Sequence, residues 1–217
     1  MMIYPDTFYE MRLKGKTPEQ ITTVIRGIKR EIGRLKNIME HPDYKNRELA
    51  VQPSEDVQIA MNREYLEKAK QALLEAGVTY VPSVAEQKAI DFNNNIFYIS
   101  KVIFSIGGFF GGYKTKTYTV VGEKVRVETE HAFKPDVVNV EELDKKAFFE
   151  ELKGLNLGEW RKVYDTYRFG VAVMDGTQWE LEIYFSNGRR AANFHGSNAY
   201  PYNFDQLLEL FEPEKEE

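Results

Sequence analysis

The chain of 217 residues contains no cysteine, and this absence excludes several classes of chemistry. Disulfide bonds, thiolate catalysis and zinc sites with cysteine ligands all require that residue. Histidine is also scarce, with only His41, His131 and His195. These three lie in separate predicted elements and lack the i, i+4 spacing of a metal-binding helix. We therefore expect no metal and no cofactor, and we expect structural or surface roles for the three histidines.

Long apolar runs and a strong net charge are absent as well. No segment approaches the roughly 18 apolar residues of a membrane span, and the start lacks the basic-then-apolar pattern of a signal peptide. We therefore expect a soluble, cytoplasmic protein that does not bind membranes. The formal charge of −5 is mild, which disfavours nucleic acid as a partner.

Hydrophobic residues make up 42% of the chain, and in residues 1–80 they follow a helical spacing. Thr17-Pro-Glu-Gln20 combines an N-cap, a first-turn proline and a capping-box partner. A second helix start follows at Ser54, and Gly77 supplies a stop. Apolar residues at alternating spacings of four and three form the seam of the first helix: Ile21, Ile25, Ile28, Ile32, Leu35 and Met39. The pattern predicts an antiparallel helical hairpin that resembles a coiled coil.

Two helices alone bury little apolar surface. We therefore expect the hairpin to dock on the rest of the chain, on an unidentified protein partner, or on a second copy to give a homodimer. The face opposite the seam is basic and comprises Arg26, Lys29, Arg30, Arg34 and Lys36. It is either an ordinary solvated face, which the near-neutral segment favours, or a stripe that binds nucleic acid.

Residues 81–95 are predicted to form a linker or a packed crossover, and residues 96–217 an antiparallel α+β domain. We expect a sheet of about six strands covered by two helices. The run from Ile96 to Phe104 is apolar on nearly both faces, which predicts a central strand. Gly122-Glu123 separates two further strands and suits a type II′ hairpin. Pro135 and the acidic run after it predict a helix through about Lys153.

The clearest pattern surrounds Trp179. The pairs Asp175-Gly176 and Asn187-Gly188 suit type I′ turns and bracket a strand that alternates apolar and polar side chains. Trp179, Leu181, Ile183 and Phe185 share one face of that strand, which predicts a three-stranded meander with one buried and one solvated face.

Two stretches are candidates for binding. Paired glycines in Gly107–Gly112 bracket two phenylalanines, and His195–Pro201 combines an imidazole, an amide, a hydroxyl and a phenol. The candidate binding residues are Phe109, Phe110, Tyr113, His195, Asn198 and Tyr200. Each stretch also has a structural alternative. Gly107–Gly112 would be a wide hairpin turn whose phenylalanines fold back onto the core, and His195–Pro201 would be a structured turn before a final helix. Neither stretch has the spacing of a phosphate loop or of a nucleophile elbow.

Several of these motifs also carry a resemblance. Asp175-Gly-Thr-Gln-Trp-Glu-Leu-Glu-Ile183, the Asn187-Gly188 turn and Gly196-Ser-Asn-Ala-Tyr-Pro-Tyr-Asn-Phe204 resemble a domain of uncharacterised bacterial proteins, especially from Gram-positive anaerobes and their mobile elements. Lys16–Gln20 and Tyr65–Leu73 are similar to segments that precede such domains. The resemblance implies a fold and a bacterial origin, and it brings no catalytic residues to this chain.

We therefore predict a non-enzymatic interaction or binding module, with a helical hairpin for self-association or docking and a β domain that binds. Two alternatives stay open. One is a small-ligand enzyme or hydrolase with a cleft near His195, Asn198 and Tyr200, in which a carboxylate would lie within reach of His195. The other is a nucleic-acid binder that uses the basic face of the first helix.

Overall fold

A computed structural model describes residues 3–46, 51–108, 110–173 and 175–211. The chain divides into two compact units, Met1–Pro82 and Ser83–Glu217. Within the described residues it forms six α-helices and one seven-stranded, mostly antiparallel sheet. The α+β class is confirmed, and the predicted number of about six strands is too low. None of the helices in the described ranges has the length and apolarity needed to cross a membrane.

The first unit consists of three helices. They are α1 (Pro5–Arg12), α2 (Pro18–Met39) and α3 (Glu55–Glu75). The predicted start of α2 is confirmed, because the hydroxyl of Thr17 accepts from the Gln20 N–H and the Gln20 side chain accepts from the Thr17 N–H. This reciprocal pair satisfies two of the donors that a helix start leaves without partners.

The predicted stop of α3 at Gly77 is confirmed as well. Gly77 has a φ of +80°, and its N–H donates to the Leu74 carbonyl at 2.9 Å. The next N–H, of Val78, donates to the Leu73 carbonyl at 3.0 Å. Together these two bonds form a Schellman motif, in which glycine accepts the left-handed conformation that ends the helix.

Helix α1 was not predicted, and it packs on α3. The ring of Phe8 stacks on Tyr65 with ring centroids 4.3 Å apart, and the Tyr65 hydroxyl donates to the carbonyl of Ile3. The three helices share one core, which includes Ile21, Ile25, Ile28, Ala69 and Leu73. The seam of α2 is therefore buried by residues of its own unit.

The second unit contains the sheet and three further helices. In chain order its elements are α4 (Val84–Asn94), β1 (Ile99–Gly108), β2 (Gly112–Val121), β3 (Lys124–His131), β4 (Lys134–Asp144), α5 (Lys145–Gly154), β5 (Val163–Asp165), β6 (Gln178–Phe185), β7 (Ala192–Ser197) and α6 (Phe204–Phe211). The strand order is β4-β3-β2-β1-β6-β7-β5, so β1 lies at the centre, as its sequence predicted. All pairs are antiparallel except β5 with β7.

Helix α4 occupies most of the segment predicted as a linker or crossover. Ser83 and Glu86 form a second capping box at its start. Phe92 of α4 belongs to the same core as Phe149 of α5 and Phe211 of α6. Three helices, rather than the two predicted, therefore contribute to this core.

The predicted orientation of the β6 side chains is confirmed. Trp179, Leu181 and Ile183 are at most 2% exposed and belong to the core, whereas Glu180 is exposed. The hairpin between β2 and β3 is also confirmed, because Val121 pairs with Lys124 across Gly122-Glu123. Gly122 has a φ of +60°, the positive angle that a type II′ turn requires at its first central residue.

The helix predicted to extend through about Lys153 forms as α5, but the prediction wrongly placed its start in the segment from Pro135 to Glu142. That segment belongs to β4, and α5 begins only after Asp144, whose carboxylate accepts from the Ala147 N–H at 2.9 Å. The segment 137–140 contains three valines, which favour a strand. The acidic pair Glu141-Glu142 suits the first turn of a helix, but it lies near the end of the edge strand β4.

The prediction of a three-stranded meander around Trp179 is also wrong in part. Residues 171–173 form no strand, because β6 already pairs with β1 on one side and β7 on the other. The hairpin from β6 to β7 does form, but its connection spans 186–191 and only Gly188 has a positive φ. A type I′ turn needs positive φ at both central residues, so Asn187-Gly188 does not form one.

Gly196 on β7 allows the closest approach to Trp179. The indole N–H donates to the carbonyl of Ala199 at 2.9 Å, and the ring packs against Phe204 with centroids 5.0 Å apart. A Cβ on Gly196 would lie 2.3 Å from the indole nitrogen and 2.5 Å from the Ala199 oxygen. The absence of a side chain at Gly196 is therefore required for this packing.

We expect Gly196→Ala to lower the free energy of unfolding by about 2 kcal/mol, because the methyl group has to displace an indole and a backbone carbonyl. Denaturant titration followed by tryptophan fluorescence measures this change. Gly154→Ala, at the end of α5 with no atom within 4 Å of the new Cβ, is the matched control and should cost nothing. Equal stabilities of the two variants would contradict the packing described for Trp179.

Candidate functional site

The polar face of the sheet carries a cleft of about 560 Å³. The cleft lies on the side opposite the inward-facing Trp179, and side chains from five strands line it. Its polar lining residues are Ser105, Tyr113, Asp165, Gln178, Glu180, His195 and Ser197. This set offers two carboxylates, an imidazole, a phenol, an amide and two hydroxyl groups, so it contains both donors and acceptors of hydrogen bonds.

The strand register brings part of this set into one row. Ser105 on β1 lies opposite Thr115 on β2 and opposite Glu180 on β6. Glu180 in turn lies opposite His195 on β7. Because facing residues of antiparallel strands have Cβ atoms about 5 Å apart, these four side chains are direct neighbours across the sheet.

Several cleft side chains are held in place by other protein groups. The Tyr113 hydroxyl donates to Gln178 Oε1 at 2.7 Å, and the hydroxyl oxygens of Ser105 and Thr115 lie 2.8 Å apart. Asp165 accepts from the backbone N–H of Arg168 at 3.2 Å, where it caps a short 3₁₀ turn. These contacts orient Tyr113, Gln178, Ser105 and Asp165, so this part of the cleft is preorganised.

Two of the predicted binding residues, Tyr113 and His195, line this cleft. Phe110 lies in the connection between β1 and β2 and is 83% exposed, so it does not fold back onto the core. Phe109 lies outside the described residues. The paired glycines around them take part in a wide hairpin, in which Gly108 pairs with Gly112.

Asn198 and Tyr200 do not line the cleft. Asn198 has a φ of +52°, and its side-chain oxygen accepts from the Thr177 N–H at 2.9 Å. It thereby fixes the loop before β6, where Gly176 passes so close that a Cβ would lie 1.9 Å from that oxygen. Tyr200 packs on Phe204 with ring centroids 4.7 Å apart. Both residues position the scaffold around the cleft.

Five polar residues of the cleft were not among the predicted binding residues: Ser105, Asp165, Gln178, Glu180 and Ser197. Strand alternation already places Gln178 and Glu180 on the solvated face of their strand. The pairing of β6 with β7, the strand that carries His195, would have indicated a site. That pairing depends on register, which alternation alone does not give.

Next to the cleft on β6, the hydroxyl of Tyr184 donates to a carboxylate oxygen of Glu182. This hydrogen bond, then partial desolvation and the negative charges of Glu182 and Glu180, raise the pKa of Tyr184 above its ordinary value. The neutral phenol is the form that can donate, so these contacts retain its proton to higher pH.

We expect Tyr184 to ionise at higher pH than an isolated tyrosine. A group with a raised folded-state pKa stabilises the fold below its unfolded pKa, and this contribution is lost as the pH rises through the folded pKa. NMR titration of a sample labelled at the tyrosine Cζ measures the shift. Glu182→Gln should lower the pKa of Tyr184, whereas Glu130→Gln on β3 should leave it unchanged. A Tyr184 that titrates identically in all three proteins would contradict this account.

The basic face of α2 is partly engaged with neighbouring side chains. Arg34 contacts Glu31 through two hydrogen bonds of 2.6 and 2.8 Å, and Lys29 donates to the Tyr80 hydroxyl at 3.1 Å. Arg26 and Arg30 are exposed. Nucleic-acid binding by this face stays a prediction, and surface pairs of this kind screen part of the charge that such binding uses.

Among residues 3–46, 51–108, 110–173 and 175–211, no group of three or more His, Asp or Glu side chains could hold a metal ion. Comparisons of the chain with protein-family models, with curated proteins and with solved structures find no match. The resemblance to a bacterial domain family therefore stays a prediction.

Proposed function

We propose that the chain is a non-enzymatic binding module whose second unit binds a neutral, hydroxyl-rich ligand in the cleft on the polar face of the sheet. The cleft volume of about 560 Å³ lies within the range of small-molecule sites. The observation that carries the proposal is the mixed set of donors and acceptors that the sheet register aligns around Glu180 and His195.

A hydroxyl-rich ligand matches this lining because each hydroxyl both donates and accepts hydrogen bonds. Glu180 can accept from two neighbouring hydroxyls, while Gln178 and His195 can donate to ligand oxygens. Tyr113 is 40% exposed, and its ring offers an apolar surface beside these polar groups. Small neutral saccharides combine both properties, and we take them as the ligand class.

The contacts inside the cleft favour binding over catalysis. A serine hydrolase requires a hydroxyl nucleophile that is hydrogen-bonded to a base. Here the hydroxyl of Ser105 contacts that of Thr115 instead, and Asp165 caps a backbone N–H. These contacts support the shape of the cleft. The remaining lone pairs and protons of the same groups are available to bind a ligand.

We expect neutral mono- and disaccharides to shift amide resonances of Gln178, His195 and Ser197 in ¹H–¹⁵N spectra of the full chain. Glu180→Gln should weaken the binding about tenfold, because a hydrogen bond to a charged group contributes about 1.5 kcal/mol. Glu130→Gln, which removes a carboxylate from the same sheet face outside the cleft, is the matched control and should leave the affinity unchanged. A panel that leaves these resonances unmoved up to the solubility of the sugars would contradict the proposal.

A second candidate function rests on the pair of Glu180 and His195. These residues face each other across β6 and β7, so a carboxylate stands beside the imidazole, as a hydrolase with a general base at His195 would require. The same titrations distinguish the two functions. Cleavage of a saccharide probe that stops in His195→Gln would favour the hydrolase, and reversible binding without product would favour the binding module.

Self-association through the helical hairpin stays a prediction, and the structure offers a different way to bury its seam. Ile21, Ile25 and Ile28 pack within the first unit, where α1 contributes Phe8 to the same core. We therefore expect the mass in solution, measured by light scattering on a sizing column, to be that of a monomer. A dimer mass under the same conditions would contradict this expectation and restore self-association.

A further inference from the structure

The second unit has another cleft, which lies where α4, the 3₁₀ turn Leu157–Glu159 and the connection from β6 to β7 meet. Its volume of about 320 Å³ is that of a small-ligand site. The apolar part of its wall comes from Phe92, Leu157 and Phe194, each at most 3% exposed. The wall therefore belongs to the core and does not change shape easily.

Four cationic side chains surround this wall. Lys88 comes from α4, Lys162 from the segment before β5, and Arg189 and Arg190 from the connection between β6 and β7. The described residues that line the cleft include no aspartate or glutamate. Residues 83–217 carry 16 Lys and Arg against 22 Asp and Glu, so a quarter of the cations of an acidic segment converge here. Like charges around one cleft repel one another, and an anion among them offsets that repulsion.

Arg189 is held in position before any ligand arrives. Its guanidinium donates to the backbone carbonyl of Asp91 at 2.9 Å and lies 5.4 Å from the centroid of the Phe185 ring. The same connection is tied down by the Ser186 N–H, which donates to the carbonyl of Tyr98 at 2.7 Å. A cation that is already ordered loses less conformational entropy when a ligand binds.

We propose that this cationic cleft binds a small molecule that carries a phosphate group, either a phosphomonoester or a diphosphate. Guanidinium groups bind phosphate oxygens through paired N–H bonds, and lysine adds a point charge from another direction. Four cations match a group with two or more negative charges better than they match a single carboxylate. The cleft is confined and has an apolar wall, so it fits one head group rather than an extended polyanion.

This proposal is independent of the saccharide-binding cleft, because the two clefts share no lining residue. The probe is inorganic pyrophosphate, titrated calorimetrically into the full chain at low salt. Lys162→Gln and Arg190→Gln should each weaken binding about tenfold, because each removes one charge-assisted contact. Both side chains are exposed, so the variants should fold normally, which thermal unfolding by circular dichroism checks. Lys146→Gln, at an exposed position on α5, is the matched control and should bind like the original chain.

Two further probes identify the chemistry. Citrate supplies a polycarboxylate of similar charge, and a single-stranded oligonucleotide supplies phosphates in a polymer. The proposal is supported if pyrophosphate binds at least tenfold more tightly than citrate. It also requires that Lys162→Gln leaves any response to the oligonucleotide unchanged. Equal affinity for citrate, equal weakening by Lys146→Gln, or no measurable pyrophosphate binding at millimolar concentration overturns it.

Discussion

The burial of Trp179 is the constraint on which the second unit depends. Its indole is 2% exposed, donates its N–H to the Ala199 carbonyl and contacts the rings of Trp160, Tyr164 and Phe204. An indole is large, and burying it with its N–H satisfied contributes to stability in two ways. Because alternate residues of a strand face opposite sides, this one anchor also fixes where every other side chain of β6 points.

The polar cleft is a direct consequence of that register. Once Trp179 faces the helices, Gln178 and Glu180 must face away from them, toward the side that carries Ser105 and His195. A slip of one residue would bring the glutamates into the core, where an unpaired carboxylate costs several kcal/mol. The register of β6 therefore sets both the packing of the core and the composition of the cleft, and neither can change alone.

Local signals in the sequence predicted local structure well. The capping box at Thr17, the stop at Gly77 and the two-residue turn at Gly122 each depend on a few neighbouring residues, and all three are present. The central place of β1 was also predicted from its apolar composition, although only one of its faces is fully buried: Val102 and Phe104 belong to the core, whereas Ser105 lines the polar cleft. These features need no knowledge of which distant segments meet.

Features that depend on distant segments were missed. The acidic residues before Asp144 suit a helix start, but pairing with β3 makes them the end of a strand. The loop at Asp175-Gly176 suits a hairpin turn, but β6 has its two neighbours already and Asn198 holds the loop instead. The clefts were missed for the same reason. Five strands line the first cleft, and α4, the turn Leu157–Glu159 and the connection from β6 to β7 form the second, so both depend on tertiary contacts.

The position of β1 has a consequence for the way the chain emerges from the ribosome. One edge of β1 pairs with β2 almost at once, through the Gly108 hairpin. Its other edge has to wait for β6, which is synthesised only after β3, β4, α5 and β5. During that interval the most apolar strand of the sheet presents unpaired N–H and C=O groups to other nascent chains, as an edge that is open to wrong pairing. The pairing of β6 with β1, which sets Trp179 opposite Ile106, is the step that covers this edge.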